Sequence, residues 1–187
     1  MLDLLYPDFF MERVEFIDLH HLKEHGYDTL IFDLDNTLVG WRSKEMRPEL
    51  MEWLKSAKNL GFKMCIVSNC VLRGRVRYFE KLLDIPAIPK AVKPRKKSFI
   101  AAIKMLNSRF GRTVVIGDQL FTDVLGGNRL GLLTILVLPV DKREFYATIL
   151  QRTAEKLILF RMKKKGILHP LKAKIPKKML QAKEGNL

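Results

Sequence analysis

Four short apolar segments alternate with stretches of helical periodicity along this 187-residue chain. The segments, which we predict to be strands, cover residues 29–33, 63–68, 113–117 and 133–138. Apolar runs of this length are typical of strands that are buried on both faces of a sheet. Strands separated by helices pair in parallel through right-handed crossovers. The sequence therefore predicts a three-layer α/β fold of Rossmann-like type, with a central parallel sheet and helices on both of its faces.

The segments between the predicted strands have the start and stop signals of helices. One helix begins near Pro48, a residue that suits the first helical position, and it stops at Gly61. A basic helical stretch follows through Arg75 and Leu82, and a third helix covers about residues 98–108. These helices supply the crossovers that parallel strands require.

Polar side chains stand where three of the predicted strands end. They are Asp33, Ser68 and Asp118. Ligands of open α/β sheets bind beyond the carboxyl ends of the strands. We therefore expect these three side chains to converge on one crevice.

The net charge of +14 is unusual for a chain whose hydrophobic fraction, 48%, is ordinary. Most of the excess lies in residues 142–187, where 13 Lys or Arg residues stand against 3 Glu. Such a charge favours phosphates, nucleic acids and anionic membrane surfaces as partners without choosing among them.

Cysteine usage and hydropathy indicate a cytoplasmic protein, with peripheral membrane association allowed by the basic tail. Cys65 and Cys70 resemble neither a secreted disulfide framework nor a zinc signature, and we expect Cys65 to be a small core residue. No stretch approaches the roughly 20 apolar residues that cross a bilayer. The first eight residues contain acids and no basic lead, unlike a signal peptide.

The segment 33–37, Asp-Leu-Asp-Asn-Thr, contains two carboxylates that can act on one substrate. On a regular strand they would point to opposite faces, so the chain must leave the strand at Asp33 for both to reach the same ligand. Asp33 can then attack phosphorus and form an aspartyl-phosphate. Asp35 can protonate the leaving oxygen and later deprotonate the hydrolytic water.

Two acids beside a phosphate dianion require a cation. Asp118, in the segment 117–123, would form with Asp33 a hard oxygen site that suits Mg²⁺. Ser68 can donate a hydrogen bond to a phosphoryl oxygen, and Lys93 can neutralise the transferring group.

These four segments, in this order, resemble the four motifs of the haloacid dehalogenase-like (HAD) phosphohydrolases. The resemblance implies a nucleophile at Asp33, a general acid/base at Asp35 and a Mg²⁺ site formed by Asp33, Asp118 and the backbone carbonyl of Asp35. The acid at position 35 favours the phosphotransferases over the dehalogenases, which lack it. Asp123 would bind a metal-bound water or orient Lys93. The phosphate-binding residues that we predict are Thr37, Ser68, Asn69 and Lys93.

The spacing of these motifs leaves no room for a cap domain. The gaps after Thr37 and after Ser68 are largely filled by one crossover helix each. An open site suits a large substrate, or one embedded in a surface, better than a small metabolite. We predict a phosphohydrolase domain over residues 1–162, with residues 1–27 as an extension packed on it, and a basic, flexible tail over residues 163–187.

The capless layout, the run 117–129 and the opening Tyr6-Pro7-Asp8 resemble the bacterial YqeG-like group over about residues 5–160. That group is similar to the eukaryotic phosphatases that act on phosphatidylglycerophosphate. The resemblance implies this lipid as substrate. Its head group carries two phosphates and lies at an anionic surface, where each nearby Lys or Arg contributes about 1 kcal/mol.

Several surface segments have two interpretations from sequence alone. The segment 145–162 predicts either a basic amphipathic helix on a membrane or a helix that packs on the sheet with a solvated basic face. Residues Arg73, Arg75 and Arg77 either line the phosphate crevice or are simply exposed. An N-terminal apolar cluster is expected to pack in the core or at a sheet edge; it consists of Leu4, Leu5, Phe9 and Phe10.

Two other functions compete with the lipid phosphatase. One is a phosphatase of another large substrate, such as a nucleic-acid end or a phosphoprotein; the Lys-rich tail suits nucleic acid, but no aromatic platform for stacking bases is evident. The other is a non-catalytic module on the same fold that binds nucleic acid or ribosomes. The presence of all four motif residues argues against lost catalysis. They are Asp33, Asp35, Lys93 and Asp118.

Overall fold

The computed structural model describes residues 2–141, 155, 158–162 and 164. Its sheet has six strands: β1 (Phe9–Met11), β2 (Thr29–Phe32), β3 (Lys63–Val67), β4 (Ala87–Ile88), β5 (Thr113–Gly117) and β6 (Leu133–Val137). Their order is β1-β6-β5-β2-β3-β4, and every neighbouring pair is parallel. The predicted α/β parallel-sheet fold is thereby confirmed.

The helices connect these strands. They are α1 (Leu19–Glu24), α2 (Pro48–Asn59), α3 (Arg73–Leu83), α4 (Lys96–Met105) and α5 (Leu125–Asn128). Short 3₁₀ turns cover Leu2–Leu5, Val14–Phe16 and Phe110–Arg112, and a π-helical turn covers Leu120–Val124. Pro48 opens α2, as predicted, because a proline at the first helical position loses no hydrogen bond. Within the described residues no additional cap domain is evident.

Side-chain alternation along the strands divides the core between the two faces of the sheet. Leu30 and Phe32 of β2 belong to the cluster that also contains Trp53 of α2 and Phe79 of α3. Ile31, between them, packs with the cluster around Phe99 of α4. Successive side chains of a strand point to opposite faces, so one buried strand contributes to both layers.

Cys65 lies in the second of these layers, fully buried, as the sequence predicted. Burial raises the pKa of its thiol to about 12. Neither Cys65 nor Cys70 forms a disulfide in the described structure. At neutral pH the Cys65 thiol is therefore protonated and acts as a small apolar core group.

Two edge strands, β1 and β4, were not predicted. Each has at most three residues, too few for an alternation pattern to be recognised. β1 pairs with β6, more than 120 residues later in the chain, and buries Phe9 and Phe10. The expected core or edge packing of the N-terminal cluster is confirmed for these two side chains and for Leu5, whereas Leu4 is 36% exposed.

Only part of the basic C-terminal region lies within the described residues. Glu155, residues 158–162 and residue 164 are helical. Met162 is buried against Leu5, Phe10 and Leu136, and Glu155 accepts a hydrogen bond from the backbone N–H of Phe121. The described residues of the segment 145–162 therefore follow the packing interpretation. The tail predicted over residues 163–187 lies outside the description except for residue 164, and the domain boundary at 162 stays a prediction. No described helix is long enough and apolar enough to cross a membrane.

Candidate active site

The three polar strand ends lie at one edge of the sheet. Asp33 follows β2, Ser68 follows β3 and Asp118 follows β5, and these three strands are adjacent. The backbone N–H of Asp33 donates to the carbonyl of Ile116 at 3.0 Å, which extends the ladder one residue beyond the strand. The carboxyl edge of the central strands therefore positions the candidate site, as the polar residues at these strand ends predicted.

Lys93 is the cation at the centre of this edge. Its Nζ donates to Asp33 Oδ1 at 2.5 Å and to Asp123 Oδ1 at 2.6 Å. The Lys93 side chain is 2% exposed and the Asp123 side chain 3% exposed. An ion pair buried this deeply requires close geometry, because both groups lose their hydration.

A tight turn places Asp123 beside Lys93. The π-helical turn after β5 brings the carboxylate back onto the strand end, where Oδ2 accepts from the backbone N–H of Gln119 and from the hydroxyl of Thr122. A Cβ atom at Gly117 would overlap the Asp123 side chain. Glycine at the end of β5 is therefore required for this approach.

The electrostatics of the site are dominated by three carboxylates around one ammonium. Burial raises the pKa of Asp33 to about 8, with repulsion from Asp123 and Asp118 adding to the rise and Lys93 opposing it. Burial lowers the pKa of Lys93, but attraction to Asp123 and Asp33 outweighs this and leaves that pKa raised. Without a further cation, the site therefore favours a charged Lys93 and a protonated Asp33.

The same acids can bind a metal ion. Asp33, Asp118 and Asp123 can each present a carboxylate oxygen within 4.8 Å of the others. Both oxygens of Asp123 already accept hydrogen bonds, from Lys93, Gln119 and Thr122. Asp33 and Asp118 are therefore the better candidates for direct ligands. A cluster of carboxylates with excess negative charge fits a hard divalent cation such as Mg²⁺.

The raised pKa of Asp33 predicts a pH-dependent gain in stability when this acid is removed. Between its ordinary pKa of 3.8 and about 8, the metal-free folded protein holds a proton that the unfolded chain releases. The contribution of Asp33 to the free energy of unfolding therefore decreases as the pH rises from 3.8 to about 8. In a chelator, Asp33→Asn should melt several degrees above the wild type near pH 8 and close to it near pH 4.5. Melting curves across this range provide the measurement, and a difference independent of pH would contradict it.

Asp35 is bonded to Arg75, one of the three arginines for which the sequence left two interpretations open. Asp35 Oδ1 accepts from Arg75 Nε at 3.0 Å and Arg75 Nη2 at 2.8 Å. The same guanidinium donates to the carbonyls of Ser43 and Gly40. Of the three arginines with two interpretations, Arg75 therefore lines the crevice, while Arg73 and Arg77 are exposed. The helical periodicity of α3 could have identified Arg75, because this residue precedes the buried Val76 and lies one turn before the buried Phe79.

The remaining predicted residues contact the site through other groups. The buried Thr37 hydroxyl donates to Asp118 Oδ1 at 3.1 Å. The Asn69 side chain accepts from the backbone N–H of Lys93 at 2.7 Å and donates to its carbonyl at 3.3 Å. Ser68 Oγ accepts from the backbone N–H of Cys70, so its own hydrogen can still be donated. In this structure Thr37 and Asn69 position Asp118 and Lys93, and their phosphate-binding roles stay predictions.

Comparisons with known proteins identify the family of this chain. Residues 91–143 match the family model described as HAD-hydrolase-like. The chain is 45% identical over 160 residues to the "Probable phosphatase YqeG" of Bacillus subtilis, an alignment that covers 86% of this chain and 92% of that protein. It is 28% identical over 172 residues to "Phosphatidylglycerophosphate phosphatase 1, chloroplastic/mitochondrial" of Arabidopsis thaliana, spanning 86% of this chain but only 49% of that protein.

A solved structure shows the same fold. The crystal structure of an uncharacterized protein from Listeria monocytogenes serotype 4b superposes with a TM-score of 0.51 at 20% identity, covering 71% of this chain and 98% of the other. At this identity the likeness concerns the fold alone. The relationship to the Bacillus protein extends over most of both chains and identifies the family. This chain therefore belongs to the YqeG-like phosphatases of the HAD family, enzymes that hydrolyse phosphoric monoesters.

Proposed function

We propose that this phosphatase is Mg²⁺-dependent, works through an aspartyl-phosphate on Asp33, and hydrolyses phosphatidylglycerophosphate at a membrane surface. The observation that supports the mechanism most directly is the buried array of Asp33, Lys93 and Asp123, with Asp118 beside it. A carboxylate next to a fixed ammonium at the carboxyl edge of a sheet suits nucleophilic attack on a phosphate.

The reaction follows from the positions of the two acids. An Asp33 carboxylate oxygen attacks phosphorus, the bond from phosphorus to the ester oxygen breaks, and Asp35 gives its proton to the leaving oxygen. A water molecule then attacks the phosphorus of the aspartyl-phosphate and gives a proton to Asp35. The acyl-phosphate P–O bond breaks, which releases inorganic phosphate and restores Asp33.

Other groups neutralise and orient the transferring phosphoryl group. Mg²⁺ would be bound by Asp33, Asp118 and the backbone carbonyl of Asp35, and it would supply charge neutralisation. Lys93 adds a second positive charge, positioned by Asp123 and by the Asn69 side chain on its backbone. Of the two roles open to Asp123, these hydrogen bonds support orientation of Lys93. Ser68 can donate to a phosphoryl oxygen.

Arg75 is proposed as the residue that positions the general acid/base. Arg75→Met should lower kcat for an alkyl phosphate about 100-fold, because Asp35 loses both donors that fix its carboxylate. The loss should be much smaller for p-nitrophenyl phosphate, whose leaving group needs little protonation. The measurement is kcat and KM for both substrates.

The exposed neighbour Arg77 provides the matched control. Arg77→Met should change neither substrate's kcat appreciably. Equal losses for the alkyl and aryl phosphates in Arg75→Met would assign Arg75 a general structural role instead of positioning Asp35.

The lipid substrate is supported by two observations. The Arabidopsis relative is named a phosphatidylglycerophosphate phosphatase, and it is similar over 86% of this chain. In addition, the described part of this chain has no cap domain over the site, so a large head group at a surface can reach Asp33. An open site with a strongly basic chain suits an anionic substrate that other lipids surround.

The test is Mg²⁺-dependent phosphate release from phosphatidylglycerophosphate in mixed micelles. Glycerol phosphate, sugar phosphates and a 5′-phosphorylated oligonucleotide are assayed beside it, with Asp33→Asn as control. Preferred turnover of the lipid, lost in the variant, is the expected result. Turnover of soluble esters or oligonucleotide ends in preference to the lipid would reject the lipid substrate and keep the chemistry.

A further inference from the structure

A wide depression of about 900 Å³ opens beside the candidate site. A smaller cavity of about 400 Å³, lined by Asp35, shares with it the side chains of Arg42, Val71, Leu72 and Arg75. We call the outer part of the larger depression the entrance surface. It is defined by four cations and two apolar residues: Arg42, Lys44, Arg73, Lys90, Val71 and Leu72. The entrance surface therefore leads directly to the proposed acid/base.

Two large apolar side chains project from this surface. Val71 is 69% exposed and Leu72 is 56% exposed, and they are consecutive in the loop between β3 and α3. Single exposed apolar residues are common, but an adjacent pair at the mouth of a site favours contact with an apolar phase or partner. The buried face of α3, represented by Val76 and Phe79, begins only after this loop. Packing of the described core thus leaves both side chains outside.

Aromatic and cationic groups pair around the same depression. The Arg42 guanidinium lies over the Trp41 ring at 4.5 Å, and Lys44 Nζ lies over the Tyr78 ring at 5.4 Å. Trp and Tyr have an apolar body and a polar tip, which is why they are enriched at the boundary between water and lipid. These pairs hold two of the cations beside amphipathic rings at the entrance.

The charges of the entrance surface are not paired with acids in the part of the chain that the structure describes. None of Arg42, Lys44, Arg73 and Lys90 forms an ion pair with another described residue. Among the residues that line the two cavities, the acid is Asp35, which is already bonded to Arg75. The surface therefore presents a positive field to whatever approaches the site.

We propose that the entrance surface docks on an anionic lipid bilayer. Val71 and Leu72 enter the head-group region, while the four cations contact lipid phosphates. The inference rests on the proposed lipid substrate and adds to it the surface of contact and its orientation. Docking in this pose turns the cavity that contains Asp35 towards the head groups. The phosphate of a lipid can then enter the cavity while its acyl chains stay in the bilayer.

The chemistry favours a bilayer over a nucleic acid. A phosphate backbone would pair with the cations, but it offers no apolar phase for Val71 and Leu72. One face of each aromatic ring is also covered by a cation, which leaves less of Trp41 and Tyr78 for base stacking. A bilayer surface satisfies both the apolar pair and the charges.

Vesicle sedimentation tests the proposal without requiring turnover. Full-length protein is mixed with vesicles of equal parts phosphatidylglycerol and phosphatidylcholine, and with vesicles of phosphatidylcholine alone. The test variant combines four changes at the entrance surface: Lys44→Gln, Val71→Ser, Leu72→Ser and Arg73→Gln. Binding to the anionic vesicles should fall at least about 25-fold, since each cation near such a surface contributes about fivefold.

A matched control removes one lysine, one arginine and two exposed apolar side chains from the opposite edge of the sheet. It combines Lys104→Gln, Met105→Ser, Arg109→Gln and Phe110→Ser, all at exposed positions. The control should bind vesicles as the wild type does. All three proteins should melt alike, so that a loss of vesicle binding cannot come from unfolding.

The outcomes separate this inference from the proposed function. No binding of wild type to anionic vesicles, or equal binding of wild type and test variant, would overturn the docking surface. Reduced vesicle binding as expected, together with no hydrolysis of phosphatidylglycerophosphate by wild type, would keep the docking surface and reject the substrate. Loss of oligonucleotide binding in the test variant, with vesicle binding unchanged, would assign the surface to nucleic acid and overturn the proposal.

Discussion

Asp33→Asn should lower phosphate release by about 10⁴-fold or more at saturating substrate. The amide has nearly the shape of the carboxylate, but its oxygen is a poor nucleophile and it cannot form the aspartyl-phosphate. Asp33 also accepts from Lys93 and is a proposed metal ligand, so the variant loses part of the charge that holds both cations. Rapid quenching with substrate labelled at phosphorus should show labelled wild-type protein and unlabelled variant.

The control for this prediction is the acid at the other end of the same strand. Asp28, at the amino end of β2, accepts from Thr29 and pairs with Arg112, far from the catalytic edge. Asp28→Asn should keep near wild-type kcat. Substantial turnover by Asp33→Asn, or label on the variant protein, would show that Asp33 is not the nucleophile.

The sheet and the position of the site were predictable because both depend on local patterns. A buried parallel strand is apolar along its whole length, so β2, β3, β5 and β6 were recognisable, each to within one residue of its observed bounds. The polar residue that ends a strand then marks the ligand edge. This is why Asp33, Ser68 and Asp118 could be assigned to one crevice before any contact was known.

The contacts that tune the site were not predictable from such patterns. The bond between Asp35 and Arg75 joins residues 40 positions apart and depends on the rotation of α3 about its axis. Asn69 acts on the backbone of Lys93, a geometry that residue type alone does not indicate. β1 was missed because its pairing with β6, rather than its three-residue sequence, makes it a strand. Long-range packing decided each of these features.

Stability and catalysis share one group in this protein. Lys93 is buried with Asp33 and Asp123 as its partners, so the same ammonium that is proposed to neutralise the phosphoryl group also neutralises the core of the site. Substitutions there should therefore affect folding and turnover together. Separating the two effects requires a second substitution that removes the unpaired negative charge but does not restore the ammonium of Lys93.

Lys93→Met should lower the free energy of unfolding by about 3–5 kcal/mol in the metal-free protein, because it leaves the buried Asp123 carboxylate without its cation. Phosphate release should fall about 10³-fold even where the variant is folded, since the transferring phosphoryl group loses a fixed positive charge. Denaturant unfolding in a chelator measures the first effect, and kcat at saturating Mg²⁺ and substrate measures the second.

The double variant Lys93→Met with Asp123→Asn separates the two roles. Removing the Asp123 carboxylate, whose remaining bonds go to Gln119 and Thr122, should recover most of the lost stability. Activity should stay as low as in Lys93→Met, because no cation has returned to the phosphoryl site. Recovery of activity with stability would mean that Lys93 acts only through folding. A Lys93→Met protein as stable as wild type would mean that Asp123 needs no counterion in the folded protein.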